Sequence, residues 1–278
     1  METILFLHGW GGNEHSFAPI EKYFGRYFQT LCPAMPCPPD EVWTLDDYVM
    51  SVEKLLAENN VTKCHIICHS FGARVAVLLI NKNPHLVGKL IVTGGAGLKP
   101  RFNLRIWAKI KIYKIKKRLF GRAKGGSADY RKLTPNGKKT FNNIVGRDLC
   151  NEIKKVKTPT LLIYGAKDRA TPVYMAKRWA KLCGAKLCKA DGHGANGVVA
   201  NEYGVVGDNA NGGGVNSGKV KLCGAELCNA DGHGVNVGGA KLCGVTCEYK
   251  IYKNCGHFAY LEDTGRFIAD AEKFLLNS

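Results

Sequence analysis

The chain alternates between two hydrophobic periods. Short apolar runs at residues 4–7, 28–31, 64–68, 90–93, 160–164 and 249–252 read as strands, and helical spacings lie between them. After Thr44, a good N-cap, Leu45, Tyr48, Val49, Val52, Leu55 and Leu56 recur at three and four residues, and Phe267, Ala271, Phe274 and Leu275 do so near the C-terminus. Strands apolar enough to be covered on both faces, alternating with helices, predict an α/β protein with a mostly parallel sheet of about six strands flanked by helices.

Two segments break this rhythm. Residues 98–157, between the fourth and fifth strands, hold 19 Lys and Arg against 3 acidic residues, a net +16 of the chain's +17. Ile106, Trp107, Ile110, Tyr113 and Leu119 stripe part of this segment, which reads as a basic helical cap set into a nearly neutral core formed by residues 1–97 and 158–278. Residues 181–247, before the last strand, contain 16 Gly in 67 positions and repeat themselves: residues 181–194 return as residues 221–234 with 12 of 14 positions identical. Two imperfect copies in Gly/Asn-rich filler cannot stack as a solenoid, so a duplicated, flexible surface excursion is expected.

With 278 residues, 45% of them hydrophobic, the chain can bury one sizeable core, which excludes a disordered tail and a miniprotein. The longest apolar run, residues 75–80, is far short of the ~18 to 20 residues a membrane span needs. METILFLHGWGG has no basic leader before its apolar run, so no signal peptide is expected and a cytoplasmic setting is the default. In that setting the 12 cysteines are expected as free thiols.

The chemistry starts at Cys68-His69-Ser70-Phe71-Gly72, between an apolar run and a helical stretch. A strand running into a tight turn and then a helix exposes the Ser70 hydroxyl at the C-terminal edge of the sheet, with the Phe71 N–H aimed at the same point. Gly72 lets the helix approach, and Cys68 stands where such an elbow usually has glycine. Asp168 lies just past the fifth strand and His257 just past the last, so Ser70, Asp168 and His257 all fall at strand C-terminal ends, where an open parallel sheet places its ligands. After the first strand, His8-Gly9-Trp10-Gly11-Gly12 lets the backbone pass close to the serine, so that the Trp10 and Phe71 amides can bind a developing oxyanion. Gly9, Gly11, His69 and Trp107 are placed around the substrate. His69 and His65 come too early in the sheet order to serve as the base and are assigned to packing or pocket lining.

On HGWGG, CHSFGA, LLIYGAKDRATP and NCGHFAYLE, in this order, the chain resembles the α/β-hydrolase family over residues 1–182 and 248–278. The resemblance implies a helical cap after the fourth strand, no cofactor, and two-step acyl transfer on a small-molecule acyl substrate. Ser70 would be the nucleophile, His257 the base and Asp168 its orienting partner. A serine at the elbow argues against the dehalogenase and epoxide-hydrolase branches, which use aspartate there; esters, thioesters, some amides and certain carbon–carbon bonds remain. The chain departs from the family pattern by starting at the HG-bearing strand, by Cys68, and by the repeat, from which it must return in register to deliver His257.

Cys183, Cys188 and His193 recur as Cys223, Cys228 and His233, but the spacing is not a familiar finger and duplication explains it, so no metal site is assigned. The basic segment reads as a solvated face, as a surface for an acidic membrane or anionic ligand, or, last, as a nucleic-acid contact, for which no reading module is present. The competing function is therefore a binding protein on a hydrolase scaffold that works through this segment. The oligomeric state is left open.

Overall fold

The computed structural model describes residues 1–37, 39–100, 128–183, 185–187, 196–201, 221–222, 225–226 and 247–276. Six parallel strands form the centre of one sheet: β1 (Thr3–Leu7), β2 (Gln29–Leu31), β3 (Cys64–His69), β4 (Val87–Thr93), β5 (Thr160–Gly165) and, last along the chain, β10 (Cys247–Tyr252). The short strands β6 (Ala185–Leu187) and β7 (Asn196–Asn201) extend it antiparallel, giving the order β2-β1-β3-β4-β5-β10-β7-β6. The strands β8 (Lys221–Leu222) and β9 (Ala225–Glu226) pair with each other in a separate ribbon. The sequence reads the repeat as a surface excursion; where described, it also extends the sheet, with β7 paired to β10 and β6 to β7 at the edge.

The alternation along each strand divides the core into two layers. Leu5 and Leu7 of β1, Ile66 and Cys68 of β3, Leu90 and Val92 of β4 and Leu162 and Tyr164 of β5 face α2 (Leu45–Glu58), α3 (Gly72–Lys82) and α7 (Val173–Leu182). Their neighbours Ile4, Phe6, Ile67, Ile91, Leu161 and Ile163 face α1 (Ala18–Phe24) and α8 (Thr264–Leu276). Every residue of β1, β3 and β5 is consequently buried, which is why these strands read as continuous apolar runs. Helix α2 starts as its sequence requires: the Thr44 N–H donates to Asp47 Oδ2 (2.7 Å), and Thr44 Oγ1 accepts from the Asp47 N–H (3.4 Å).

Residues 101–127 of the basic segment, with Ile106, Trp107, Ile110, Tyr113 and Leu119, lie outside the described residues, as do Cys188, His193, Cys223, Cys228 and His233 of the repeat. The described part of the basic segment is helical: α4 (Ala128–Lys132), α5 (Pro135–Gly146) and α6 (Cys150–Lys155). Helix α5 is fastened to the core by Arg74, near the start of α3. Its buried guanidinium Nη1 donates to the Ile144 and Arg147 carbonyls, both at 2.8 Å, at the end of α5 where helical carbonyls lack partners. The Trp43 N–H donates to Thr140 Oγ1 (2.9 Å), and Phe141 meets Trp10 edge to face at 5.4 Å. No helix among the described residues is long and apolar enough to cross a membrane.

Arg74→Met keeps the side-chain volume but leaves both carbonyls without their donor. It is expected to lower unfolding stability by about 1.5–3 kcal/mol, the range for hydrogen bonds from a charged group, read as a reduced urea midpoint at unchanged slope.

Candidate active site

The turn between β3 and α3 holds Ser70 at φ 47°, a left-handed conformation that costs a side-chain-bearing residue about 1–3 kcal/mol. Three backbone hydrogen bonds hold it there: the Ser70 N–H donates to Thr93 O (3.1 Å), and Ser70 O accepts from the Ala73 N–H (3.2 Å) and the Ala96 N–H (3.1 Å). Gly72 is obligatory, since a methyl group at that position would collide with the Leu7 carbonyl oxygen. Ser70 is partly exposed while residues 68, 69, 71 and 72 are buried, so the turn presents one side chain outward. Cys68 does not disturb it. Its thiol is buried in the helix-facing layer and donates to Ile91 O (3.4 Å) on β4, and burial pushes its pKa up, keeping it an inert thiol.

Asp168 follows β5 in a tight turn, its N–H donating to Gly165 O (3.2 Å). Its side chain is fully buried. Oδ1 accepts from the Ala170 and Thr171 N–H groups (2.8 and 2.9 Å), and Oδ2 lies 2.7 Å from the Thr171 hydroxyl and 2.8 Å from His257 Nδ1. Burial raises the carboxyl, but the hydrogen bonds from His257 and from the Thr171 backbone and hydroxyl outweigh it, with the His257 charge adding to them, and hold the group below the usual carboxylate range. An ionised carboxylate only accepts, so Nδ1 of His257 carries a proton and donates it to Asp168. His257 is itself about one-fifth exposed. Glu262 caps its loop, accepting from the Gly256 N–H (2.7 Å) and the Phe258 N–H (3.1 Å).

The glycine loop after β1 passes directly over the serine: a methyl group on Gly9 would lie 3.5 Å from Ser70 Cβ and 2.7 Å from His69 Nδ1. His8 fixes this loop. Its Nε2 accepts the Met35 N–H (3.0 Å), so Nδ1 is the protonated nitrogen and donates to Gly9 O (2.8 Å). Burial lowers the His8 pKa, and the ring is neutral. Gly11, at φ 78°, turns the chain back. Among the described residues neither the Trp10 nor the Phe71 backbone N–H donates to an acceptor, and the two side chains pack edge to face at 5.7 Å.

Asp168 and His257 are thus joined directly. Ser70 is tied to them through residues 93–96, because Ala96 bonds to Ser70 while a methyl group on Gly94 would meet the His257 ring at 3.2 Å. Gly9 and Gly11 lie in the loop above the serine, and His69 is buried beneath it against His257. Trp107 is outside the described residues. Thr171 and Glu262 were given no role from the sequence. The signals were a threonine three residues after Asp168, a capping spacing, and a glutamate five after His257.

A sequence model described as the alpha/beta hydrolase family matches residues 4–200. A strigolactone esterase of Pisum sativum is 30% identical over 108 residues, 36% of this chain and 39% of that protein. An sn-1-specific diacylglycerol lipase of Danio rerio is 32% identical over 95 residues, 32% of this chain and 30% of that protein. The chain therefore spans well under half the length of these curated relatives. The crystal structure of an enol-lactonase from Burkholderia xenovorans superposes with a TM-score of 0.60 at 14% identity, covering 99% of this chain and 92% of that one, a likeness of fold.

The Thr171 hydroxyl is part of what keeps Asp168 ionised. A carboxyl depressed in the folded state adds stability above its unfolded pKa, about 3.9, and loses it as pH falls through the folded value. Thr171→Val is expected to cost about 1.5–3 kcal/mol at pH 7 by urea unfolding, and the difference from wild type is expected to shrink towards zero once pH drops below the carboxylate range.

Proposed function

The chain belongs to the alpha/beta hydrolase family, and on that premise we propose that it is a serine hydrolase cleaving a carboxylic ester or related acyl bond through an acyl-enzyme on Ser70. The observation that carries this reading is the buried Asp168 carboxylate 2.8 Å from His257 Nδ1, set at the same sheet edge as an outward-pointing, conformationally strained Ser70. Both curated relatives are named for ester cleavage, as an esterase and a lipase, which favours esters among acyl compounds.

In this reading Ser70 Oγ attacks the substrate carbonyl as His257 Nε2 takes its proton. The Trp10 and Phe71 N–H groups, without other acceptors among the described residues, receive the negative oxygen of the tetrahedral intermediate. The intermediate collapses, the bond to the leaving alcohol breaks, and His257 returns the proton to that oxygen. Water then attacks the Ser70 ester with His257 again as base, releasing the acid and the free serine. Asp168 remains ionised throughout, holding the imidazole by Nδ1 and stabilising its cationic form.

A fluorophosphonate probe read by intact mass tests the assembled nucleophile. Wild type is expected to gain one label, and Ser70→Ala and His257→Ala none. Labelling that persists in Ser70→Ala, or a folded wild type that takes no label, would reject the reading and turn attention to binding of anionic surfaces by the basic segment. Asp168→Asn leaves the shape intact but offers Nδ1 the wrong partner, and kcat on p-nitrophenyl esters is expected to fall about 10³–10⁴-fold.

A further inference from the structure

His69 is the last residue of β3, one peptide bond before Ser70, and its side chain is almost wholly buried. Its ring lies 4.7 Å from the His257 ring and 5.0 Å from each of the Phe258 and Tyr260 rings, centroid to centroid. Nε2 is 3.1 Å from the backbone carbonyl oxygen of His257. A carbonyl only accepts, so the proton is on Nε2 and Nδ1 carries the lone pair. On the Nδ1 side stands Gly9, where any side chain would intrude within 2.7 Å. One imidazole therefore touches the glycine loop and the His257 loop while being part of the strand that carries the serine.

We propose that His69 is a positioning residue, whose Nε2–H bond to the His257 carbonyl fixes the backbone of the base relative to the nucleophile. The inference rests on the reading of Ser70 as nucleophile and His257 as base. Asp168 bonds the His257 side chain at one atom and Glu262 caps the neighbouring backbone N–H groups, but neither bond comes from the strand that leads into Ser70. The anchor on the His257 main chain delivered from β3 ties the two directly. Displacement of about 1 Å at a reacting group can cost about 10²-fold in rate.

The protonation state of His69 fits the task. Burial, and then the charge on nearby His257, push its pKa down to about 3, against smaller opposing effects from its hydrogen bond and from Asp168. A neutral donor places no positive charge beside the imidazolium that forms on His257 during turnover. The same burial and the engaged Nε2 remove His69 from candidacy as the base.

Two substitutions separate the hydrogen bond from the packing. His69→Phe keeps an aromatic ring among Phe258, Tyr260 and His257 but has no donor, whereas His69→Gln restores an N–H near the position of Nε2. With folding checked by circular dichroism and cooperative urea unfolding, His69→Phe is expected to react with the fluorophosphonate about 10- to 100-fold more slowly than wild type, with kcat reduced and KM nearly unchanged on p-nitrophenyl esters. His69→Gln is expected to recover most of the rate. Equal rates for wild type and His69→Phe would overturn the inference, and so would equal losses in folded Phe and Gln variants, which would make the residue packing alone. Nitrogen-15 NMR of labelled histidines gives a readout that does not need activity. His69 is expected as the neutral Nε2–H tautomer throughout pH 5–8, with its Nε2 proton protected from exchange. A titration in that range, or the other tautomer, would overturn the inference even in a protein whose failure to take the probe had already removed the hydrolase reading.

Discussion

No side chain can occupy position 72, and much of the molecule follows from that constraint. Because Gly72 has no Cβ, α3 begins in contact with the Leu7 and His8 carbonyls at the end of β1. The turn that joins β3 to α3 then lies against the end of β1, with Ser70 at its tip in a left-handed conformation held by three backbone hydrogen bonds. The same approach brings the glycine loop after β1 over the serine, so one missing methyl group unites two of the loops at the sheet edge. The strain at Ser70 is stored in a structure whose strands β1, β3 and β5 are entirely buried, and a buried strand cannot shift to release it.

The electrostatics around this edge are economical. Several titratable groups crowd together, yet burial keeps the His8 and His69 rings neutral, and the Asp168 carboxylate is buried as a charge with its full set of donors. Each neutral imidazole has its tautomer set by one backbone partner: Met35 N–H for His8, the His257 carbonyl for His69. Rings that serve as neutral struts are rigid and polar at both ends without adding positive charge beside His257. The aromatic series Trp43, Tyr48, Phe71, Trp10 and Phe141 continues from the site into the first described helices of the basic segment, so the segment and the glycine loop share packing.

What the sequence disclosed depended on range along the chain. The six parallel strands and the Thr44 cap were legible because burial on both faces and a capping box leave local marks within a few residues. The placement of Ser70, Asp168 and His257 at one sheet edge was legible because each follows a strand and carries its own local motif. The contact of His69 was not. Its bond to the His257 carbonyl spans 188 positions, and a buried histidine at the end of a strand looks the same in sequence whatever it touches. Thr171 was hidden differently: its spacing from Asp168 is local, but the bond it closes is to the His257 partner 89 residues away from that histidine. Strands β6 and β7 were obscured because a Gly-rich repeat shows little period, and it is the free side of β10 that pairs with β7, and β7 in turn with β6.

The repeat-bearing segment begins beside Cys183, at the end of α7, lends β6 and β7 to the sheet, and ends at Cys247, the first residue of β10. Both cysteines are buried in the core, and Cys247 is paired with Thr160 on one side. His257 comes after the opposite end of that strand, whose six residues span roughly 20 Å. The strand is therefore a spacer between a place where the chain has grown and the place where geometry is critical. Lengthening at its entrance changes neither the pairing of Tyr252 with Gly165 nor the turn that follows. A fold wired in this way can accumulate new sequence at one rim of its sheet while the other rim stays under constant dimensions, which makes the entrance to β10 a site where evolution can experiment without moving His257.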